Sequence, residues 1–428
     1  MIRRECPVTF QTHGPGHHFF GYYDKSPLDR SERRLLSHRA LFDYKRLPRA
    51  DDVVEIGYWD LDRNAWNPVS ETRAYNWQQG SQLQWLPPDY ATRIIFNDRE
   101  ENRFVSRVVN VADGSVRTLP LPIYTVHPGG GSAICVNYER LYFPRPGYGY
   151  EGIVKPEWDR PIPDGDGLFR LDLETGEHER ILSTRQMTEC NPISSMENAT
   201  HYLEHTMFNP DGSRFSFLHR WQLPDGGLYT RLWTADEWGG ELRCLLDSGM
   251  FSHSGWRAPE ELVGWGRPAS GIANLRKNRW ISGTLLKALL PLYRRLVRPT
   301  GAVRRRLLRD TYLHFDLATG GVSPLAPGID FPDDGHCTWS PSNTRWMLTD
   351  TYQDEEFYRH LLLYDHEQQE LFEIGRFYSL PETCDTGYRC DLHPRWGHSG
   401  NLVCIDSIHE QGERQMYLID VSDVVGGT

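Results

Sequence analysis

The chain has 428 residues, of which 39% are hydrophobic and 25% are charged, and this is the composition of a globular protein. Its net charge of −11 argues against a general role in nucleic-acid binding, and no apolar run is long enough to predict a transmembrane helix. The eight cysteines contain no CxxC pair, so neither a disulfide framework nor a zinc finger is indicated. We therefore expect a cytoplasmic protein with reduced thiols.

One pattern recurs along the chain, a turn of Gly, Pro, Asp and Ser followed by a run of β-branched and aromatic residues. In chain order its copies begin at Pro27, Pro87, His127, Asn209, Ala258, Ser340 and Gly397. Each copy precedes a second strand, and these second strands begin at Ile56, Ser106, Leu168, Arg231, Thr311, His360 and Met416. The repetition predicts an all-β fold, a seven-bladed β-propeller that forms a single domain over residues 1–428.

The residues just before these turns also align with one another. The first aligned position holds Tyr22, Gln82, Ile123, His205, His253, His336 and His393. Because the strand that leads into the turn is innermost in a propeller, we expect these side chains to face one end of the central channel. A large aromatic residue usually follows three positions later and should pack between blades, as in Trp85, Phe208, Trp256, Trp339 and Trp396.

Four histidines at one repeat position suit either metal ligation or acid–base chemistry near neutral pH, whereas a single histidine would more often be structural. The propeller would gather these four imidazoles from distant parts of the sequence into one funnel. We therefore expect the active or binding site at this end of the channel.

Residues 274–310 are predicted to form a basic helical insertion in the propeller. Eleven Lys or Arg residues and no acidic residue lie between Arg276 and Arg309, and Pro291 and Pro299 interrupt the helical pattern. Such a segment can lie on an anionic membrane surface, or it can pack on the propeller as a lid. Peripheral contact with the inner membrane through residues 276–309 is thus left open.

Several segments carry a resemblance to a known family. They are HHFFGYYDK from His17, LEHTMFNPDGSRFSFLHRW from Leu203, TRLW from Thr230, FSHSGW from Phe251, DGHCTWSP from Asp334, CDLHPRW from Cys390 and QMYLIDV from Gln415. In them the chain resembles the oligogalacturonate lyases, seven-bladed propeller enzymes that cleave uronic-acid glycosides by β-elimination.

The resemblance implies roles for individual residues. Arg231 corresponds to the catalytic arginine of the family and His253 to its Brønsted base. The chemistry of elimination also requires a group that protonates the leaving oxygen, and His205, Tyr22 or water could supply that proton.

The family also holds a manganese-type ion with three histidines and a glutamine. His336 and His393 match two of these histidines, whereas Asp391 stands in place of the third and the glutamine falls near Tyr388. An aspartate can ligate a hard divalent ion, but a tyrosine does so rarely. The resemblance therefore leaves metal binding open, and Arg389 is an alternative source of positive charge.

We expect further residues to bind the substrate, namely His18, Lys25, Gln82, Arg389 and His219. The leading prediction is a lyase that acts on a uronate-containing glycan. The first alternative is a non-catalytic propeller that binds a glycan or a protein partner, with the basic insertion at a membrane where surface polysaccharide is made. The second is a glycoside hydrolase, which would need a pair of carboxylates across the funnel.

Overall fold

The computed structural model describes residues 1–268 and 309–426. Their strands form seven sheets, and the chain is a seven-bladed β-propeller, as the sequence predicts. Contacts between Cα atoms divide the chain into two compact units. The first unit contains Met1–Trp158, Phe169–Glu179 and Gly335–Thr428, and the second contains Asp159–Leu168 and Arg180–Asp334. The predicted basic insertion lies, apart from its last two residues, outside the described residues.

The chain begins with two short strands, β1 (Ile2–Arg3) and β2 (Val8–Gln11). Blade one consists of β3 (His17–Phe19), β4 (Arg34–Ala40), β5 (Val54–Asp60) and β6 (Ala65–Thr72). Blade two consists of β7 (Gln84–Trp85), β8 (Arg93–Glu100), β9 (Arg103–Asn110) and β10 (Val116–Leu119). Blade three consists of β11 (Thr125–Val126), β12 (Ser132–Val136), β13 (Gly167–Asp172) and β14 (His178–Ser183).

Blade four consists of β15 (Thr200–Phe208), β16 (Arg214–Gln222), β17 (Leu228–Asp236) and β18 (Arg243–Leu246). Blade five consists of β19 (Phe251–Ala258), β20 (Glu261–Gly266), β21 (Thr311–Asp316) and β22 (Gly321–Pro324). Blade six consists of β23 (Thr338–Trp339), β24 (Trp346–Asp350), β25 (Tyr358–Asp365) and β26 (Glu370–Tyr378). Blade seven includes β27 (Arg395–Trp396), β28 (Leu402–Ser407) and β29 (Gln415–Asp420).

The two N-terminal strands complete the last two blades. Strand β2 pairs antiparallel with β29, and β1 pairs in parallel with β26. The seventh blade therefore contains strands from both ends of the described chain. A propeller closed in this way keeps its sheet edges short, because β2 covers the edge that β29 would otherwise expose.

The strand pairs read from the sequence are the second and third strands of every blade. The seven turn-and-strand copies form β4, β8, β12, β16, β20, β24 and β28, and their partners form β5, β9, β13, β17, β21, β25 and β29. Turn chemistry explains this regularity. In the turn before β16, the side chain of Asp211 accepts a hydrogen bond from the backbone of Ser213, and Gly212 adopts a φ of 76°.

The predicted aromatic residues are buried, and two of their indoles join neighbouring blades. The indole N–H of Trp85 donates to the carbonyl oxygen of Pro27, over 3.1 Å, and that of Trp256 donates to the carbonyl of Met207, also over 3.1 Å. Each bond links the first strand of one blade to the blade before it. Buried members of the set are Trp85, Phe208, Trp256, Trp339 and Trp396. The prediction that this position packs between blades is confirmed for Trp85 and Trp256.

Helices are few and short in the described ranges. They are α1 (Tyr138–Tyr142), α2 (Thr184–Glu189) and α3 (Ser422–Val425), with 3-10 turns at Pro156–Asp159, Ser194–Met196 and Pro381–Thr383. Side-chain oxygens of Asn137 and Ser183 cap the first two helices. None of the helices in the described ranges is long and apolar enough to cross a membrane.

Candidate functional site

The predicted repeat position coincides with irregular backbone in several blades. Gln82, His205 and His393 have φ values of 57°, 56° and 42°, a left-handed region that non-glycine residues rarely adopt. Such strain persists only where the surrounding structure enforces it, and it is frequent at functional sites. Blade one departs from the alignment, because Tyr22 follows β3 instead of leading into a strand.

In the second unit, two histidines of this position lie at β-bulges. The pairing of β15 with β16 shifts register between Glu204 and Met207, on either side of His205. The pairing of β19 with β20 shifts between Phe251 and Ser254, on either side of His253. A bulge bends a strand and points a side chain in a direction that it could not take in a regular strand, where side chains alternate between the two faces of the sheet.

His253 is held by an acidic partner. Its Nδ1 atom lies 3.1 Å from Oδ1 of Asp334 and 3.1 Å from Oγ of Ser252. The ring of His205 is close by, with its centroid 6.5 Å from that of His253. His205 in turn has Glu204 3.4 Å from its Nδ1 atom. The second unit therefore places a carboxylate beside each of two imidazoles, an arrangement suited to proton transfer.

Arg231 has a different environment from the one the resemblance implies. Its side chain is buried, and its two terminal nitrogens donate to the main-chain oxygens of Cys190, over 3.0 Å, and Asn191, over 2.8 Å. The guanidinium also lies over the ring of Trp221. Both terminal nitrogens thus have main-chain acceptors, and binding of a substrate carboxylate by Arg231 stays a prediction.

His219 and His18 are completely buried. His219 lies 3.0 Å from a ring nitrogen of His201, and burial, with a smaller effect of His201, lowers its pKa well below the ordinary value. His18 packs against Trp59 and Trp66 inside blade one. The structure places neither imidazole at a surface that a substrate could reach, so it does not support their predicted role in substrate binding.

In the first unit, the three predicted metal ligands are brought together. Ligand atoms of His336, Asp391 and His393 all lie within 4.8 Å of one another, and all three side chains are buried. Nε2 of His393 has no hydrogen-bond partner in the part of the chain that the structure describes. Two imidazoles and a carboxylate are suitable ligands for a divalent cation, and one of the two imidazoles has a nitrogen that no hydrogen bond within the described ranges uses.

His336 is oriented by a second carboxylate. Its Nδ1 atom lies 2.9 and 3.0 Å from the two oxygens of Asp350, and its backbone N–H donates to the same residue over 2.7 Å. This contact directs Nδ1–H toward Asp350 and leaves the lone pair on Nε2, and carboxylates orient metal-binding histidines in the same way. Gly335 is required here, because a Cβ atom would lie 1.9 Å from the carbonyl oxygen of Asp350.

Asp391 lies between two arginines. Oδ1 is 2.8 Å from Arg359, and Oδ2 is 2.8 Å from Nε of Arg389. Burial alone would raise the pKa of this carboxyl, but the two guanidinium groups outweigh it and hold the pKa well below its ordinary value. Asp391 is therefore expected to stay ionised, the state in which a carboxylate can ligate a cation.

The remaining predicted residues have polar or aromatic partners. The ring of Tyr22 lies 5.5 Å from that of His393. The ammonium of Lys25 is paired with Asp24 at 2.7 Å, and the buried Gln82 donates to Gln79. None of these contacts assigns a role to its residue, so the predicted roles of Tyr22, Lys25 and Gln82 stay predictions.

Asp334, Asp350 and Arg359 are the functional candidates that sequence reasoning missed. Asp334 had a visible signal, because it opens the DGH segment that also contains His336. Asp350 and Arg359 had none, because their partners are distant in sequence and only the blade geometry brings them together.

These features define the class of protein, a seven-bladed β-propeller with histidine–carboxylate clusters in its two units. No family model matches the chain, and no curated protein does. Solved structures share the fold, among them an oligogalacturonate lyase in complex with manganese, which is 15% identical with a TM-score of 0.62 and 98% of each chain covered.

A second lyase, from Vibrio parahaemolyticus, is 12% identical with a TM-score of 0.59, and 98% of this chain and 99% of that one are covered. The β-propeller domain of the Trilobed protease from Pyrococcus furiosus has a TM-score of 0.51 at 9% identity, over 95% of this chain and 96% of that one. Likeness at these identities establishes the propeller fold and no activity.

Proposed function

We propose that the protein is a lyase that cleaves a uronic-acid-containing oligosaccharide or polysaccharide by β-elimination. The observation that carries this proposal is the His253–Asp334 pair, an imidazole placed at a bulge with a carboxylate behind it. Its fold is also that of two solved oligogalacturonate lyases.

In the proposed reaction, a base removes the proton on C5 of the uronate, and the electron pair left on that carbon spreads into the adjacent carboxylate. The C4–O bond then breaks, its electrons leave with the oxygen, and a C4–C5 double bond forms. His253 would take the C5 proton through Nε2 as a neutral imidazole. His205, 6.5 Å away between ring centroids, would supply the proton for the leaving oxygen.

The C5 proton is weakly acidic until the adjacent carboxylate is neutralised, so the reaction requires a cation. Within the second unit, Arg231 would serve if its guanidinium exchanged its main-chain acceptors for the substrate. Separately, His336, Asp391 and His393 of the first unit would hold a divalent ion of the manganese type, and such an ion would supply a positive charge within that unit.

Activity against uronate oligosaccharides tests the proposed reaction. We expect the unchanged protein to release products with the ultraviolet absorbance of a double bond conjugated to a carboxylate. His253→Gln should reduce the rate about 10²- to 10⁴-fold, the usual contribution of a general base. His178→Gln is the matched control, because His178 is an exposed residue of β14.

Two results would contradict the proposal. Full activity of His253→Gln would exclude His253 as the base. Tight binding of uronate oligosaccharides without any unsaturated product would favour the non-catalytic propeller.

Metal binding is tested without reference to activity. The protein is incubated with Mn²⁺ alone, freed of excess ion and examined for bound metal by mass spectrometry. We expect about one ion per chain, and a loss of that ion in His393→Gln, because this change removes one of three ligands. A metal content unchanged by His393→Gln would place the ion elsewhere.

A further inference from the structure

The carboxylate of Asp334 determines which nitrogen of the His253 ring carries the proton. An ionised aspartate can only accept hydrogen bonds, so the 3.1 Å contact requires the proton of a neutral imidazole to reside on Nδ1. Nε2 then carries the lone pair. The Oγ atom of Ser252, also 3.1 Å from Nδ1, is compatible with this tautomer because a hydroxyl can accept the same hydrogen.

Asp334 is itself well placed to act on the ring. Its side chain is only 14% exposed, and its backbone N–H donates to the side chain of Asp333 over 2.9 Å. It lies 81 positions from His253 in the sequence, so no local turn accounts for the contact. The ring is thus held from outside its own strand, at the bulge of β19.

We infer that Asp334 is the positioning residue of His253, which fixes the Nδ1–H tautomer and stabilises the imidazolium formed when Nε2 takes a proton. This inference deepens the proposed function and rests on the assignment of His253 as the base. Catalytic serine triads use a buried aspartate in the same way, and there the loss of the correct tautomer reduces the rate about 10⁴-fold.

The experiment compares Asp334→Asn, Asp334→Glu and Asp333→Asn with the unchanged protein. Asp333→Asn is the matched control, since it removes one acidic charge from the adjacent position. Ring-¹⁵N-labelled histidine reports the tautomer, and the signal of His253 is identified by its loss in His253→Gln. The kinetic constants for elimination on a uronate oligosaccharide are measured in parallel.

We expect Asp334→Asn to shift the His253 ring nitrogens away from the Nδ1–H pattern and to lower kcat on the order of 10²- to 10⁴-fold. KM and the unfolding temperature should change little, and Asp334→Glu should restore part of kcat. Asp333→Asn should leave the ring signal and kcat as in the unchanged protein.

An unchanged His253 signal and unchanged kcat in Asp334→Asn would overturn the inference. Should Asp334→Asn fail to fold, a ring signal and a kcat in Asp333→Asn that change as much as those in Asp334→Glu would overturn the inference as well, because the effect would then not depend on the carboxylate of residue 334. Failure of the proposed function is distinguishable, because either His253→Gln would remain active or the unchanged protein would release no unsaturated product. In that case the ring signal alone still decides whether Asp334 sets the tautomer.

Discussion

At the scale of single residues, the interior of the first unit concentrates charge around Asp391. A carboxylate with no exposed surface is stable only if its charge is compensated, and Arg359 and Arg389 each approach one of its oxygens at 2.8 Å. Arg359 is itself buried and also donates to Ser379 and Gln353. The orientation of the predicted metal ligand therefore depends on residues that do not touch the metal.

Removal of Arg359 should be strongly destabilising. In Arg359→Met the carboxylate of Asp391 would lose one of two cations in the protein interior, and we expect the free energy of unfolding to fall by about 3–5 kcal/mol. Urea denaturation measures this change. Arg33→Met is the control: it removes a pair with Asp62 whose side chains are 68% and 50% exposed, and it should change the free energy of unfolding far less than Arg359→Met does, because solvent screens an exposed pair. Equal effects of the two changes would contradict the prediction.

At the scale of elements, the first strand has two tasks in several blades, but not in blade one. It positions the residue of the repeat, often with a bulge or a positive φ, and it anchors an aromatic side chain between blades. The two tasks are linked, because the indole bond holds the strand against the preceding blade while the bulge redirects the histidine. In blade five, Trp256 is three residues beyond His253 and packs in a cluster with Leu218 and Phe315.

Replacement of Trp256 by Phe should therefore weaken blade five. The change removes the N–H that donates to Met207 and leaves a small gap in the cluster, so we expect a loss of about 1–3 kcal/mol in the free energy of unfolding. Trp238→Phe is the control, because Trp238 is 58% exposed and lies in the turn after β17. Comparable stability of the two variants in urea would show that the indole bond is dispensable.

At the scale of the whole molecule, several buried histidines are neutral. Burial lowers the pKa of His38 from 6.5 to about 3, and burial followed by the charge of Arg39 lowers the pKa of His18 to about 3. In the unfolded chain both imidazoles would bind a proton below pH 6.5, whereas in the folded protein they do not until near pH 3. Stability is therefore complete above pH 6.5 and decreases as the pH falls below it.

We expect each of these two histidines to reduce the free energy of unfolding by about 1.4 kcal/mol per pH unit below its ordinary pKa. Urea denaturation between pH 7.5 and about pH 5 measures the slope in a range where most carboxylates remain ionised. His38→Gln should show a smaller slope, and His178→Gln should show the slope of the unchanged protein. A stability that rises as the pH falls from 7 to 5 would exclude neutral buried histidines.

Much of the fold could be predicted from the sequence because its signals are local. A turn of the Asn209–Gly212 kind stops one strand and starts the next, and β-branched and aromatic residues mark each strand, so repetition reveals one strand pair of every blade, its second and third strands. The repeat likewise identified the positions of the inter-blade aromatics, as Trp85 and Trp256 show. Alignment of the repeat copies also identified the histidines that have a neighbouring carboxylate in the structure.

The tertiary structure alone decided the partners and the burial of these side chains. Asp334 reaches His253, and Arg359 reaches Asp391, through contacts between residues that are 81 and 32 positions apart. The sequence also could not show that His18, which was predicted to bind the substrate, is buried inside blade one. Charge pairing and solvent access depend on distances in space, which sequence spacing does not determine where strands from distant segments pack together.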